Sequence, residues 1–198
     1  MAVTKNPRSK PQAKTPKLTL EALFFSSPEQ KVIRLLLNEP NRTFSLREIC
    51  SKLKGIRGLG GVDGLSQILL DLQSMGLVDF IDNNRGVRVQ ADNSTIQVLA
   101  TFLAICELEH LKTVLQPISS KGILYGNLVT GRALESDYHL FVVSETPDDI
   151  RNIADHHPLR KSVELVVYTP ELYGEMKKHN PTLFHKVAEG ITLWGTTW

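Results

Sequence analysis

The sequence predicts an α+β fold in which a mostly helical N-terminal unit is followed by a small mixed α/β unit. Apolar residues recur at helical spacing between residues 28 and 75, whereas residues 77 to 89 alternate in steps of two. Residues 95 to 115 read as one long apolar helix, and apolar runs alternate with helical segments from residue 122 onward. The expected parts are a tail at 1–17, a first unit at 18–92, a linking helix at 93–117 and a second unit at 118–198.

Composition is typical of a soluble protein. The chain has 198 residues, of which 41% are hydrophobic and 22% are charged, enough for one good core or two small ones. The two cysteines, Cys50 and Cys106, lie far apart in apolar stretches, which argues against a disulfide framework and predicts a reducing, cytoplasmic setting. No apolar stretch is long enough to span a bilayer, so we expect no membrane partner.

The first seventeen residues differ from the rest in charge. Five cations precede the first acid at Glu21, with prolines interspersed and almost nothing apolar. Such a segment cannot bury enough surface to offset its ordering entropy, so a disordered basic tail is predicted. It either contacts nucleic-acid phosphates or is a solvated terminus. The cations are Lys5, Arg8, Lys10, Lys14 and Lys17.

Two helices are predicted first. One begins at Pro28 with Ser27 as its N-cap. The next begins after Ser45, which together with Glu48 fits a capping box, and ends near Gly55.

A third helix and a β-hairpin follow. The helix is expected from about residue 64 to 75, and the glycine-rich stretch 55–64 before it matches no phosphate-binding motif, so it is interpreted as an enlarged flexible turn. The hairpin strands are expected at 77–81 and 86–89. The segment 82–85 between them suits the positive φ angles of a tight turn.

Three helices followed by a hairpin resemble a winged helix-turn-helix domain. The resemblance implies that the third helix enters the major groove of DNA while the hairpin touches the backbone or minor groove. The third helix has no lysine or arginine, so Ser66 and Gln67 are the side chains expected to contact base edges. The cations near this helix are expected to contact phosphates. A winged helix that mediates dimerisation or other protein contact is the alternative. The expected phosphate-binding cations are Lys52, Lys54, Arg57, Arg85 and Arg88.

The long helix, expected from about Thr95 to Leu115 after a cap within 91–94, is apolar along most of its length. A helix this apolar needs a packing partner. Either it packs between the two units or it pairs with its copy in a homodimer, an arrangement common among winged-helix repressors.

The most specific motif pairs Gly126-Asn127 with an Asp137-x-His139 segment, nine residues separating Asn127 from Asp137, and Glu164 lies on a later apolar strand. This pattern resembles the nucleotidyltransferase superfamily and covers most of the second unit. In that family a Gly-Ser turn holds the triphosphate, and carboxylates on two strands hold two Mg²⁺ ions. The resemblance implies a small mixed sheet with Asp137 and His139 on the same face of one strand.

Two positions depart from the family pattern. Asn127 replaces the serine and His139 replaces the second aspartate. Because Mg²⁺ requires oxygen ligands in octahedral geometry, an imidazole at a bridging position argues against two-metal catalysis.

Four interpretations of this region stay open. It binds a nucleotide or another anion through Gly126 and Asn127 without catalysis, or it is a structural remnant. Alternatively, Asp137, His139 and Glu164 hold Zn²⁺ or Mn²⁺, or the unit is an active transferase that uses Mg²⁺ or another divalent metal with a nucleotide. The sequence itself requires no cofactor.

The order of the two units also resembles a group of transcriptional regulators in which they are fused. We therefore expect a cytoplasmic, dimeric DNA-binding regulator whose second unit senses a ligand or is vestigial. The alternatives are a metal-dependent nucleotidyltransferase acting on a small molecule, protein or RNA, and an antitoxin-like protein-interaction module. The histidines outside the motif are expected at the surface: His110, His156, His157, His179 and His185.

Overall fold

The computed structural model describes residues 19–83, 85–134 and 137–196. The predicted basic tail and Asn84 of the predicted turn lie outside these ranges. The fold is α+β and contains a three-stranded and a four-stranded sheet. Within the described ranges, no helix combines the length and the apolar character needed to cross a membrane.

The N-terminal part, residues 19–92, contains four helices and the smaller sheet. Its strand order is β1-β3-β2, with both neighbouring pairs antiparallel. The elements are α1 (Leu20–Phe24), α2 (Pro28–Leu37), β1 (Phe44–Ser45), α3 (Leu46–Lys52), α4 (Gly61–Ser74), β2 (Val78–Ile81) and β3 (Gly86–Val89).

The predicted N-caps of α2 and α3 are both confirmed, but the capping box predicted at α3 forms only in its Ser45 half. Ser27 and Gln30 form a reciprocal capping box at the start of α2. Ser45 accepts a hydrogen bond from the Glu48 backbone N–H at 3.2 Å. The Glu48 carboxylate instead accepts a hydrogen bond from Arg42 at 2.7 Å, so it is used in an ion pair.

The third predicted helix starts earlier than expected, at Gly61 instead of about Gly64. Gly60 adopts a left-handed conformation with φ 70°, which lets the chain turn into the helix. Gly64 lies in the first turn of α4. A Cβ there would clash with the Leu59 carbonyl oxygen, so this position requires glycine. The glycine-rich stretch is therefore a turn up to Gly60 and the first turn of α4 from Gly61 onward.

The hairpin was predicted, but its third strand was not. β1 is only two residues long, too short to show a period, yet Phe44 pairs with Val87 and is completely buried. The predicted positive φ angles of the turn occur at Asp82 (52°) and Asn83 (54°).

Helix α5 (Ser94–Leu115) connects the two parts of the chain. The predicted cap is Asn93, whose side chain accepts hydrogen bonds from the backbone N–H groups of Thr95 (2.8 Å) and Ile96 (3.3 Å). Its buried side chains belong to one contiguous core that runs from Phe25 in the N-terminal part to Trp194 in the last strand. The helix thus packs against both parts, while the homodimer remains a prediction.

The C-terminal part, residues 118–196, is built on the four-stranded sheet with order β6-β5-β4-β7. β5 and β6 run parallel, whereas β4 is antiparallel to both of its neighbours. Its elements are β4 (Lys121–Tyr125), α6 (Asn127–Thr130), β5 (Tyr138–Val143), α7 (Pro147–Asp155), β6 (Val163–Tyr168), α8 (Pro170–His179), α9 (Pro181–Ala188) and β7 (Ile191–Trp194).

The two faces of this sheet are covered differently. Leu124, Leu140 and Val142 join the main core that contains α5. The alternate residues Ile123 and Phe141 belong to a second cluster with side chains of α8 and α9. The sheet is therefore buried on both faces, which accounts for its nearly continuous apolar strands.

One histidine prediction is wrong. His157 is only 8% exposed, and its Nε2 lies 2.8 Å from Nδ1 of His110 on α5. Its own Nδ1 accepts a hydrogen bond from the Leu159 backbone N–H at 3.2 Å. His157 must therefore carry its proton on Nε2 and donate it to His110. The polar sequence around His157 did not indicate that its ring connects α5 to the segment before β6.

Acidification is expected to destabilise the fold through this pair. Burial, and next the neighbouring His110, lower the pKa of His157 below its ordinary 6.5. In the unfolded chain His157 takes up a proton near pH 6.5, which the folded chain resists. Its contribution to stability is therefore complete above that pH and is lost as the pH falls below it. Urea unfolding at stepped pH values measures this slope.

The matched variant for this prediction is His157→Asn. Its amide oxygen can still accept from the Leu159 N–H, but the side chain no longer titrates. The free energy of unfolding of this variant should depend less on pH below 6.5 than that of the parent chain. An identical pH slope in both proteins would contradict the prediction.

Candidate functional site

The predicted motif begins at a sharp turn between β4 and α6. Gly126 has φ 104° and ψ −168°, a conformation that residues with a Cβ rarely adopt. A Cβ there would also come within 2.9 Å of Cδ2 of His139. Glycine is thus required both by the backbone and by the neighbouring ring. The helix that follows, α6, is only four residues long.

His139 and Glu164 meet as predicted, on adjacent strands. The parallel register of β5 and β6 places them directly opposite each other. His139 Nδ1 lies 3.0 Å from Oε2 of Glu164. The His139 ring is mostly covered and packs beside Tyr125 at a centroid distance of 5.5 Å, whereas the Glu164 side chain is largely exposed.

Asp137 does not share the strand, contrary to the prediction. The sheet begins at Tyr138, because the partner strand begins at Val163 and the Tyr138 N–H donates to the Ser162 carbonyl at 2.7 Å. Asp137 precedes this point and is exposed.

The expected three-ligand set of Asp137, His139 and Glu164 is therefore not assembled. In residues 19–83, 85–134 and 137–196, no three His, Cys, Asp or Glu side chains are grouped so that they could hold a metal ion. Two of the three expected ligands, His139 and Glu164, are paired with each other.

His139 and Glu164, but not Asp137, line a cavity of about 250 Å³. One wall comes from the predicted motif and the opposite wall from α9, which sequence reasoning did not assign to the site. From the motif side come Tyr125, Gly126, Asn127, Thr130, Arg132, His139 and Glu164. From the other side come Asn180, Thr182, Leu183, Lys186 and Glu189.

One feature of the sequence predicts the start of α9, which forms this wall. Asn180 precedes Pro181 and caps the helix by accepting a hydrogen bond from the Leu183 N–H at 3.0 Å. This cap directs the start of α9 to the cavity. Nothing in the one-dimensional spacing, however, links residue 180 to the motif at residue 126.

The cavity contains charges of both signs. Arg132 lies 3.7 Å from Glu189, and His139 is bonded to Glu164, so each pair brings one carboxylate to the cavity. Lys186 is a further cation on the wall.

Tyr125 lines this cavity. Burial, and next the negative charge of Glu164, raise the pKa of Tyr125 to about 12. The phenol therefore keeps its proton.

The predicted nucleic-acid surface is only partly available. Lys54, Arg57, Arg85 and Arg88 are exposed, as the prediction requires. Lys52 is exposed as well but lies 3.7 Å from Glu39 and 4.0 Å from Glu48. Part of its charge is thus balanced within the protein.

The two predicted base-reading side chains are already used in helix α4. The Ser66 hydroxyl donates to the Val62 carbonyl at 2.9 Å and is half-buried. The Gln67 amide donates to Asp71 at 2.9 Å, so reading a base would require it to release that carboxylate. The exposed face of α4 also carries apolar residues, with Val62 55% and Leu70 51% exposed.

Comparison with protein-family models, curated proteins and solved structures finds no match to this chain.

The turn at Gly126 gives a direct test of the site geometry. Gly126→Ala should destabilise the fold by about 1 to 3 kcal/mol from backbone strain alone, with a further loss from the contact with His139. Gly174→Ala is the matched control, because a Cβ there meets nothing within 4 Å and lies inside α8. That control should be neutral or stabilising by up to about 1 kcal/mol. Equal urea midpoints for the two variants would contradict this geometry.

Proposed function

We propose that this chain is a DNA-binding regulator. Its N-terminal part is a winged helix-turn-helix that contacts duplex DNA, and its C-terminal part is a nucleotidyltransferase-like unit that binds a nucleotide or a similar anion without catalysis. The proposal includes cytoplasmic action as a homodimer.

One observation carries the DNA-binding half of the proposal. β1, directly before α3, pairs with the second strand of the hairpin. The chain order helix, strand, helix, helix, hairpin therefore closes into one unit in which α3 and α4 are followed by a three-stranded sheet. This order and pairing support the proposal of a winged helix-turn-helix.

The charges indicate how such a unit would bind. The predicted phosphate-binding cations lie at the end of α3, in the turn that follows it and on the hairpin, whereas α4 has no lysine or arginine. Contacts would be mainly to phosphates, which give affinity and position without sequence reading. We therefore propose weak, strongly salt-dependent binding with modest sequence preference.

The pocket supports ligand binding better than catalysis. The sheet order and the turn at Gly126 agree with a nucleotidyltransferase-like arrangement, and the cavity offers Lys186, Asn127 and Thr182 to an anion. Against transfer, Asp137 is outside the strand and His139 occupies the position of a metal-bridging carboxylate. A two-metal mechanism needs oxygen ligands at both positions.

A protein-interaction module is the second candidate, and the surface of α4 favours it. Val62 and Leu70 are exposed there, and Asp63 and Asp71 add negative charge that repels phosphates. If the chain does not bind DNA even at low salt, this surface becomes the preferred site of a protein partner.

DNA binding is tested by fluorescence anisotropy with a labelled duplex between about 50 and about 200 mM salt. The combined variant Arg85→Gln and Arg88→Gln should bind more weakly and reduce the slope of log affinity against log salt by about 0.9 per lost phosphate contact. Lys178→Gln, an exposed residue on α8, should leave both unchanged. The proposal fails if the parent chain does not bind at the lowest salt.

Ligand binding is tested by calorimetric titration of ATP in the presence of a metal chelator. Lys186→Gln should weaken ATP binding about threefold to tenfold, since an exposed cation contributes modestly. Lys178→Gln again serves as the control for total charge.

The enzyme alternative has its own readout. Incubation with labelled nucleoside triphosphates and Mg²⁺ or Mn²⁺ should give no label transfer. Transfer that is abolished by Asp137→Asn would replace the proposal with an active nucleotidyltransferase.

A further inference from the structure

Glu107 on α5 connects the two parts of the chain through polar contacts inside a largely apolar interface. Its side chain is 18% exposed. The Tyr138 hydroxyl of β5 donates to Oε2 of Glu107 at 2.8 Å. On the other oxygen, Oε1 lies 3.9 Å from a guanidinium nitrogen of Arg34 on α2. The Glu107 carboxylate therefore links α5 to both β5 and α2.

We propose that Glu107 couples the pocket to the helix-turn-helix, so that a change at the start of β5 is passed to α2 and alters DNA binding. This regulation rests on the proposed function, whereas the coupling itself does not require DNA.

The pocket end of the coupling is the pair Tyr138 and His139. Successive residues of a strand point to opposite faces, so His139 lines the cavity while Tyr138 faces α5. Tyr138 is only 9% exposed, and its ring packs in the main core. Tyr138 and His139 share one peptide link at the start of β5, so a ligand that shifts the backbone at His139 also moves Tyr138 and its hydroxyl.

The direction of the hydrogen bond is fixed. Burial, and next the negative charge of Glu107, raise the pKa of Tyr138 far above the neutral range. Tyr138 is therefore always the donor and Glu107 the acceptor. If the hydroxyl moves away, the Glu107 carboxylate, which is mostly shielded from water, loses a hydrogen bond that partly neutralises it. Its attraction to the nearby guanidinium of Arg34 then increases.

The other end of the coupling lies beside the predicted DNA surface. Arg34 lines a groove together with Lys52 and Ile56, which lie at the end of α3 and in the turn that follows. A shift of Arg34 towards Glu107 would thus change the shape of this groove, where α2 borders the helix-turn-helix.

A second tie between the parts provides a matched control. The Thr101 hydroxyl of α5 donates to the Leu128 carbonyl in α6 at 2.9 Å and does not involve Glu107. Thr101→Val removes that hydrogen bond at nearly constant volume. It should disturb α6 and leave α2 unchanged.

The test is amide hydrogen exchange by mass spectrometry on the full chain. Tyr138→Phe should change exchange in α2 by about fivefold or more, relative to the exchange of α8, which corrects for any loss of global stability. The same substitution in a Glu107→Gln background should leave α2 unchanged. Thr101→Val should not alter exchange in α2.

DNA anisotropy on the same variants completes the test. Tyr138→Phe should shift DNA affinity about fivefold or more, and again only when Glu107 is present. The proposal is overturned if either effect is absent or is equally large in the Glu107→Gln background. If the parent chain does not bind DNA, the proposed function fails, while the exchange experiment still decides whether Glu107 couples the two parts.

Discussion

The burial of helix α5 on several sides is the constraint on which the rest of the structure depends. Ile96 and Leu103 in its first half and Leu108 and Leu115 in its second half are almost fully buried in the same core. A helix this apolar would expose a large hydrophobic surface if either part of the chain moved away from it. The two parts therefore pack as one body around α5.

The geometry of the pocket depends on how the four-stranded sheet is packed. The sheet is covered by α5 on one face and by α8 and α9 on the other, so its strand ends are left to form the cavity. Gly126 makes the sharp turn, and the parallel register of β5 and β6 brings His139 to Glu164. A site made from backbone geometry and a histidine–glutamate pair suits binding of a ligand better than activation of Mg²⁺.

Several helix starts could be predicted from the sequence because they depend on residues that are close together in the chain. Ser27, Ser45 and Asn93 cap their helices through contacts within three residues. The resemblance to the nucleotidyltransferase superfamily grouped His139 with Glu164, and the two side chains do meet. What could not be predicted depends on distant partners. β1 exists only because β3 pairs with it, α9 reaches the cavity only through the fold, and His157 and Glu107 are defined by neighbours about thirty to fifty residues away in the chain.

The central claim, that α5 joins both parts into one cooperative unit, is tested most directly by urea unfolding followed residue by residue with NMR. Amide signals from β3 in the N-terminal part and β5 in the C-terminal part should disappear at the same urea midpoint. Separate midpoints, with one part folded while the other is unfolded, would contradict the claim and remove the structural basis for the proposed coupling between the pocket and the proposed DNA surface.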